Sequence, residues 1–221
     1  PGERRRRPAP RGGGAMSGLG STDALVLRAE EGDLLVDGAA RWFDAATAAE
    51  RALLARLPGP VLDVGCGPGR LVVALLELGV PALGVDTAPG AVAMARGQGA
   101  SVLARCIFDR LPAEGRWGSA LLADGNVGIG GDPVRLLTRL HDVVRPGGTI
   151  ALEVDARATG VRCGRARIER GDEVGGWFPW SVVGPDALPG LARSAGLVHR
   201  GMRHVDGRPF GLLARPLGGA A

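Results

Sequence analysis

The segment Val61-Leu62-Asp63-Val64-Gly65-Cys66-Gly67-Pro68-Gly69-Arg70 places three glycines at alternate positions directly after a short apolar run. Glycine has no Cβ and tolerates positive φ, so a chain turning here can pass very close to a ligand. A helix starting at Arg70 would turn its unpaired first N–H groups toward the same place. Asp86 closes the next apolar run, about twenty residues beyond Gly65. In a strand-helix-strand unit that spacing sets a carboxylate beside a bound ribose, where it can accept both hydroxyls. The chemistry these residues offer is therefore capture of a nucleoside.

Two cofactors fit that much, NAD and S-adenosylmethionine. Three details separate them. The turn reads G-x-G-x-G, and Arg70 stands where a dinucleotide fingerprint wants its third glycine. Pro68 removes an N–H that a pyrophosphate would use. Asp63 lies inside the strand, two residues before the first glycine. A pyrophosphate wants an anion cradle at this turn, and a cationic sulfonium does not.

V-L-D-V-G-C-G-P-G-R, followed by G-V-D at 84–86 and by R-P-G-G at 145–148, resembles the motif order of class I S-adenosylmethionine-dependent methyltransferases. The likeness runs over about residues 42–215. It implies a Rossmann-like domain that transfers the cofactor's methyl group to a small molecule. It also implies roles. Gly65, Cys66, Gly67 and Gly69 would line the amino-acid and ribose parts of the cofactor. Asp63 would fix the loop and reach the methionine ammonium, Asp86 would hold the ribose hydroxyls, and Thr87 would flank the adenine. The family often has an acid at the end of its third strand. Here that place is Cys106, with Asp109 three residues on, so the adenine edge falls to Cys106 and the backbone and side chain of Ile107. The alternatives are an NAD(P)-dependent Rossmann oxidoreductase and a non-catalytic protein that binds S-adenosylmethionine.

The acceptor side is read from Ala123-Asp124-Gly125-Asn126-Val127-Gly128, at the end of the fourth predicted strand. In such sheets the ligand crevice lies beyond the carboxyl ends of the strands. Asp124 and Asn126 are expected to face the transferring methyl, with Asp124 a ligand contact. The polar, Gly-rich loop looks similar to that of actinobacterial small-molecule methyltransferases. The N/D-P-P-Y pattern of amino-group methylators is absent, which lowers nucleic-acid methylation without excluding amines. Trp42, Trp177, Phe178 and Trp180 are candidates to wall an acceptor pocket. Arg157, Arg162, Arg165, Arg167 and Arg170 are read as a solvated face. No catalytic residue is named, because displacement at a sulfonium rests mostly on alignment.

The elements that must position these groups follow from hydrophobic periodicity. Strands are predicted at 61–64, 82–85, 101–107, 119–123 and 149–154. Helices are predicted at 44–57, 70–78, 89–98, 133–144 (N-cap Asp132) and 186–194. The alternation argues for a parallel sheet covered on both faces. Two late runs, 197–205 and 209–215, meet at Asp206-Gly207, a hairpin signal. The expected fold is α/β: a Rossmann-like doubly wound sheet, mostly parallel, with an antiparallel C-terminal hairpin strand. The Arg-rich segment 157–170 would pair as an extra strand or cover the site. Residues 1–20 read as a flexible Arg/Gly-rich tail and 21–221 as one domain.

Composition bounds the rest. The chain has 221 residues, 45% of them hydrophobic, and a net charge of +4. Five of its 27 basic residues and one of its 23 acidic ones fall within 1–15, which leaves 22 of each beyond. A balanced folded part argues against a nucleic-acid partner. Every basic residue is Arg, so Schiff-base and P-loop lysine chemistry are excluded. Three Cys and three His at wide spacing give no metal site. The basic start lacks an apolar stretch behind it, and no run is long enough to span a bilayer. A cytoplasmic protein with no membrane partner is expected.

Overall fold

Val61–Val64 forms a strand because its four residues are all buried, two of them with no exposure at all. An apolar run covered on both faces belongs in the middle of a parallel sheet. The computed structural model describes residues 25–32, 34–36 and 39–218; the tail expected over 1–20 lies outside them.

In chain order the elements begin with β1 (Leu25–Ala29), β2 (Leu34–Val36) and a 3-10 turn, Ala39–Trp42. Helix α1 (Ala48–Leu54) follows, then β3 (Val61–Val64), α2 (Arg70–Glu77), β4 (Ala82–Asp86), α3 (Pro89–Gly97) and β5 (Val102–Ala104). Next come β6 (Trp117–Leu122), a 3-10 turn at Asn126–Gly128, α4 (Pro133–Val143) and β7 (Val144–Glu153). The last third holds β8 (Val161–Arg170), β9 (Glu173–Val174), β10 (Phe178–Val183), α5 (Leu188–Ser194), β11 (Val198–Val205) and β12 (Arg208–Ala214).

The main sheet has seven strands in the order β11-β12-β7-β6-β3-β4-β5. Pairs among β7, β6, β3, β4 and β5 are parallel, while β12 runs antiparallel to β7 and β11 to β12. This is the α/β sheet with a reversed C-terminal hairpin that the sequence predicts. Asp206 and Gly207 close the hairpin with φ of 51° and 77°, the two positive values that a type I′ turn requires. Helix α4 is held at its start by Asp132, whose carboxylate accepts from the Arg135 N–H at 3.0 Å. Its Leu136, Leu137 and Leu140 are fully buried against β6 and β7 in one core cluster.

A second sheet is built from segments that periodicity did not resolve. Its order is β10-β8-β1-β2, with β9 paired to β8, and all its pairs are antiparallel. The Arg-rich segment is β8, so it pairs as an extra strand. This cap sheet touches the main body where β10 meets the turn Asn126–Gly128. A Cβ on Gly128 would collide with the Ser181 carbonyl oxygen and the Trp180 ring, so only glycine allows this approach. The cap therefore stands over the carboxyl end of the main sheet.

Candidate active site

The chain leaves β3 into the glycine turn. Gly65, Gly67 and Gly69 all have positive φ, at 70°, 53° and 89°, so the alternation of glycines is a backbone requirement. Their surroundings differ. A Cβ on Gly67 would meet nothing within 4 Å; the turn is open there. A Cβ on Gly69 would stand 2.9 Å from the Cβ atoms of Ala95 and Ala100, so this glycine lets α2 close against α3. A Cβ on Gly65 would lie 2.7 Å from Asn126 Nδ2. That amide donates to the Val64 and Gly65 carbonyls at 3.0 and 2.8 Å. Asn126 thus clamps the start of the turn.

Asp86 ends β4 and faces the turn. Its Oδ2 accepts from the Gly67 N–H and its Oδ1 from the Ala88 N–H, both at 2.8 Å. The half-buried carboxylate keeps further lone pairs for a ligand. Thr87, next to it, is exposed. Cys66 is buried, and its Sγ fills the space that a Cβ on Gly84 would need. Burial, reinforced by Asp63 and Asp86, pushes its thiol far above the ordinary range, which removes it as a nucleophile. Cys106 is half-buried and Ile107 is 3% exposed. The Ile107 carbonyl accepts from Arg139 Nε at 2.9 Å.

Asp63 is 2% exposed. Burial raises its pKa to about 7, against the pull of Arg70 and with help from Asp124 and Asp86. Among the described residues no guanidinium pairs with it directly. A carboxylate desolvated in this way is stabilised by any cation that reaches it.

Beside Asp63 lies a network of six charged groups from six separate segments. Arg70, at the first turn of α2, bonds Glu50 of α1 through both Nη atoms at 2.7 and 2.9 Å and reaches Asp124 at 3.2 Å. Arg208 of β12 joins Glu50, Asp124 and Glu153 of β7. Arg41 lies 2.8 Å from Asp124. The Asp124 N–H donates to Glu153 at 2.6 Å, and Asp124 has a φ of 55°. Glu50 is also the third residue of a capping box with Thr47. Burial would raise its pKa, but Arg70, the Thr47 N–H and Arg208 together bring it down to about 2.

The structure thus brings Asp63, Gly65, Cys66, Gly67 and Asp86 around one turn, with Thr87, Cys106 and Ile107 at the ends of β4 and β5. Gly69 is turned into the helix packing, and the Asp124 carboxylate is taken by three guanidiniums. Glu50, Glu153, its partner Arg208, and Arg41 belong to the site region without having been singled out in the sequence. The T-x-x-E step at 47–50 was their one local signal. Of the aromatic candidates, Trp42, Phe178 and Trp180 pack with Leu27 and Ala166 in the cap. Trp177 lies 4.6 Å under the Arg167 guanidinium.

Residues 61–148 match a family model described as a methyltransferase domain. No curated protein matches the chain. Among solved structures, one similar chain is an S-adenosylmethionine-dependent methyltransferase from Bacteroides fragilis in complex with S-adenosylhomocysteine. It is 22% identical, with a TM-score of 0.70 over 88% of this chain and 89% of that one. Another is the 1,6-didemethyltoxoflavin-N1-methyltransferase of Burkholderia thailandensis, 22% identical, with a TM-score of 0.57 over 80% and 81%. A third is the amino pentose methyltransferase CalS10 from Micromonospora echinaspora, 17% identical, with a TM-score of 0.58 over 80% and 94%. Residues 61–148 are therefore similar to a methyltransferase domain, and the chain has the fold of the S-adenosylmethionine-dependent methyltransferases.

Proposed function

We propose that the chain transfers a methyl group from S-adenosylmethionine to a small-molecule acceptor. The observation that carries this reading is the open turn at Gly67 between two carboxylates, Asp63 and Asp86. The residues fit the cofactor: Asp63 is a buried carboxyl that would meet the methionine ammonium, and Asp86 would hold the ribose hydroxyls. Gly65, Cys66 and Gly67 offer backbone contact. Thr87, Cys106 and Ile107 would border the adenine, and Gly69 and Asp124 support the loop by packing and ion pairing. When bound, the cofactor supplies an electrophilic methyl on a sulfonium.

The protein's work is then alignment of acceptor and methyl, which is worth about 7–11 kcal/mol in well-oriented systems. Small-molecule acceptors are named for similar structures, 1,6-didemethyltoxoflavin and an amino pentose among them. Among the described residues no helix is long and apolar enough to cross a membrane.

A thermal-shift comparison tests the reading. S-adenosylhomocysteine at about 100 times its Kd adds about 2.7 kcal/mol, which should raise Tm by roughly 5–11 °C for a domain of this size. Gly67→Val, which fills the open side of the turn, should abolish the shift. A shift with NAD or NADP in its place would overturn the proposal.

A further inference from the structure

Between β10 and the turn Asn126–Gly128 lies a cavity of about 40 Å³, lined by Leu27, Gly125, Val127, Asp155, Trp180 and Ser181 among others. One water needs about 10–15 Å³ on this measure, so the cavity admits a head group of about three heavy atoms. Gly125 and Val127 flank Asn126, the residue that clamps the Val64 and Gly65 carbonyls. The cavity therefore lies one residue from the glycine turn, on the side covered by the cap sheet.

One of its lining residues has hydrogen-bonding capacity that a ligand can reach; Ser181 Oγ has no hydrogen-bond partner, but it is closed off from the cavity. Asp155 follows the end of β7. Its Oδ1 accepts from the Arg157 N–H at 2.8 Å and lies 3.4 Å from Arg157 Nε. Its Oδ2 accepts from no group among the described residues. The Arg157 side chain is 77% exposed, so that pairing is screened by water. Asp124 and Glu153 nearby are committed to guanidiniums. Asp155 is the carboxylate left for a ligand.

We infer that this cavity takes the reacting head of the methyl acceptor and that the head is an amine. The inference rests on the methyl-transfer reading above. An ammonium meets the unpaired Asp155 Oδ2 with a charge-assisted hydrogen bond, which a neutral hydroxyl makes more weakly. An anionic head would be repelled by Asp155, whose Arg157 partner is 3.4 Å away and mostly in solvent. The bound ammonium gives one proton to Asp155 Oδ2, which passes it to solvent through its partly exposed side chain, and the nitrogen keeps its lone pair for the methyl.

Fluorine NMR line broadening with 4-fluorobenzylamine, 4-fluorobenzyl alcohol and 4-fluorobenzoate tests this on the full chain saturated with S-adenosylhomocysteine. Binding of that nucleoside is measured by calorimetry in the same samples. The amine should bind at least about tenfold more tightly than the alcohol, as a charge-assisted bond would give, and the benzoate should not bind. Asp155→Asn keeps an acceptor for Arg157 and should erase the preference for the amine. Leu27→Phe, which fills the cavity, should weaken the amine and the alcohol alike. Equal binding of amine and alcohol to the unmodified chain overturns the inference without reference to any variant, as does a preference that survives in Asp155→Asn. If those results come with normal nucleoside binding, the acceptor assignment alone fails. If the nucleoside itself does not bind, the methyl-transfer reading fails and the inference falls with it.

Discussion

Asp63 has two opposing effects on the protein. Its folded pKa of about 7 stands above the ordinary carboxylate value of 3.8. The folded chain therefore holds a proton that the unfolded chain releases, and the stability this represents is present below pH 4 and lost as pH rises through 7. Ligand binding has the opposite sign, because only the ionised form attracts an ammonium. The apo protein should lose Tm between about pH 4 and pH 7, while its affinity for S-adenosylhomocysteine rises as pH approaches and passes 7. Asp63→Asn should flatten both trends, as read by thermal melts and calorimetry at each pH. Parallel trends in the two quantities would show that Asp63 does not face the ligand. The position of this residue was legible in the sequence, since an acid inside an otherwise apolar four-residue strand is costly without a purpose. Its raised pKa was not, because that depends first on how completely the folded sheet buries it and then on Asp124 and Asp86, which arrive from other segments.

At the scale of elements, the network around Glu50 ties α1, α2, β7 and β12 to the loop after β6. Arg70 and Glu50 have side chains only 6% and 5% exposed. Removing one partner from such a pair leaves a buried charge uncompensated, at a cost of about 3–5 kcal/mol. Arg70→Met should be destabilised by about that amount in urea unfolding. Combining it with Glu50→Gln should cost less than the sum of the two single changes, and strict additivity would show that the pair is not coupled. The parallel strands and their helices were readable to within a few residues, because buried runs and helical stripes are local signals. Asp132 as an N-cap and Asp206-Gly207 as a hairpin turn were equally local. The network was not readable, because nothing in the spacing of 50, 70, 124, 153 and 208 announces that these positions converge.

At the scale of the molecule, two sheets of different character meet at one edge. Strands β3, β6 and β7 carry residues with no solvent exposure, such as Leu62, Leu121 and Leu152. Strand β8 is exposed over most of its length and contributes one fully buried residue, Ala166. Regions with few buried apolar contacts open at lower free energy than the core. Amide hydrogen exchange should therefore reach the β8–β9 segment well before β3 and β6. Simultaneous exchange of both sheets would show that the cap and the main sheet unfold as one unit. The cap was the least legible part of the fold. Its strands are short or mixed in pattern, and their arginines are held by partners such as Glu169, which pairs Arg28 with Arg167, so no clean alternation appears.

The sequence by itself determined the parallel sheet, the glycine turn and the acid at the end of β4. Each is a property of neighbouring residues: burial on both faces, backbone freedom, and the spacing of one strand-helix-strand unit. Tertiary structure alone decided what Asp124 and Asn126 do. Both stand in the predicted loop, yet one is bound by three guanidiniums and the other holds the glycine turn from across the sheet edge. It also decided which carboxylate remains for an acceptor. That choice depends on where charges from distant segments meet in space, and a linear chain carries no local record of such meetings.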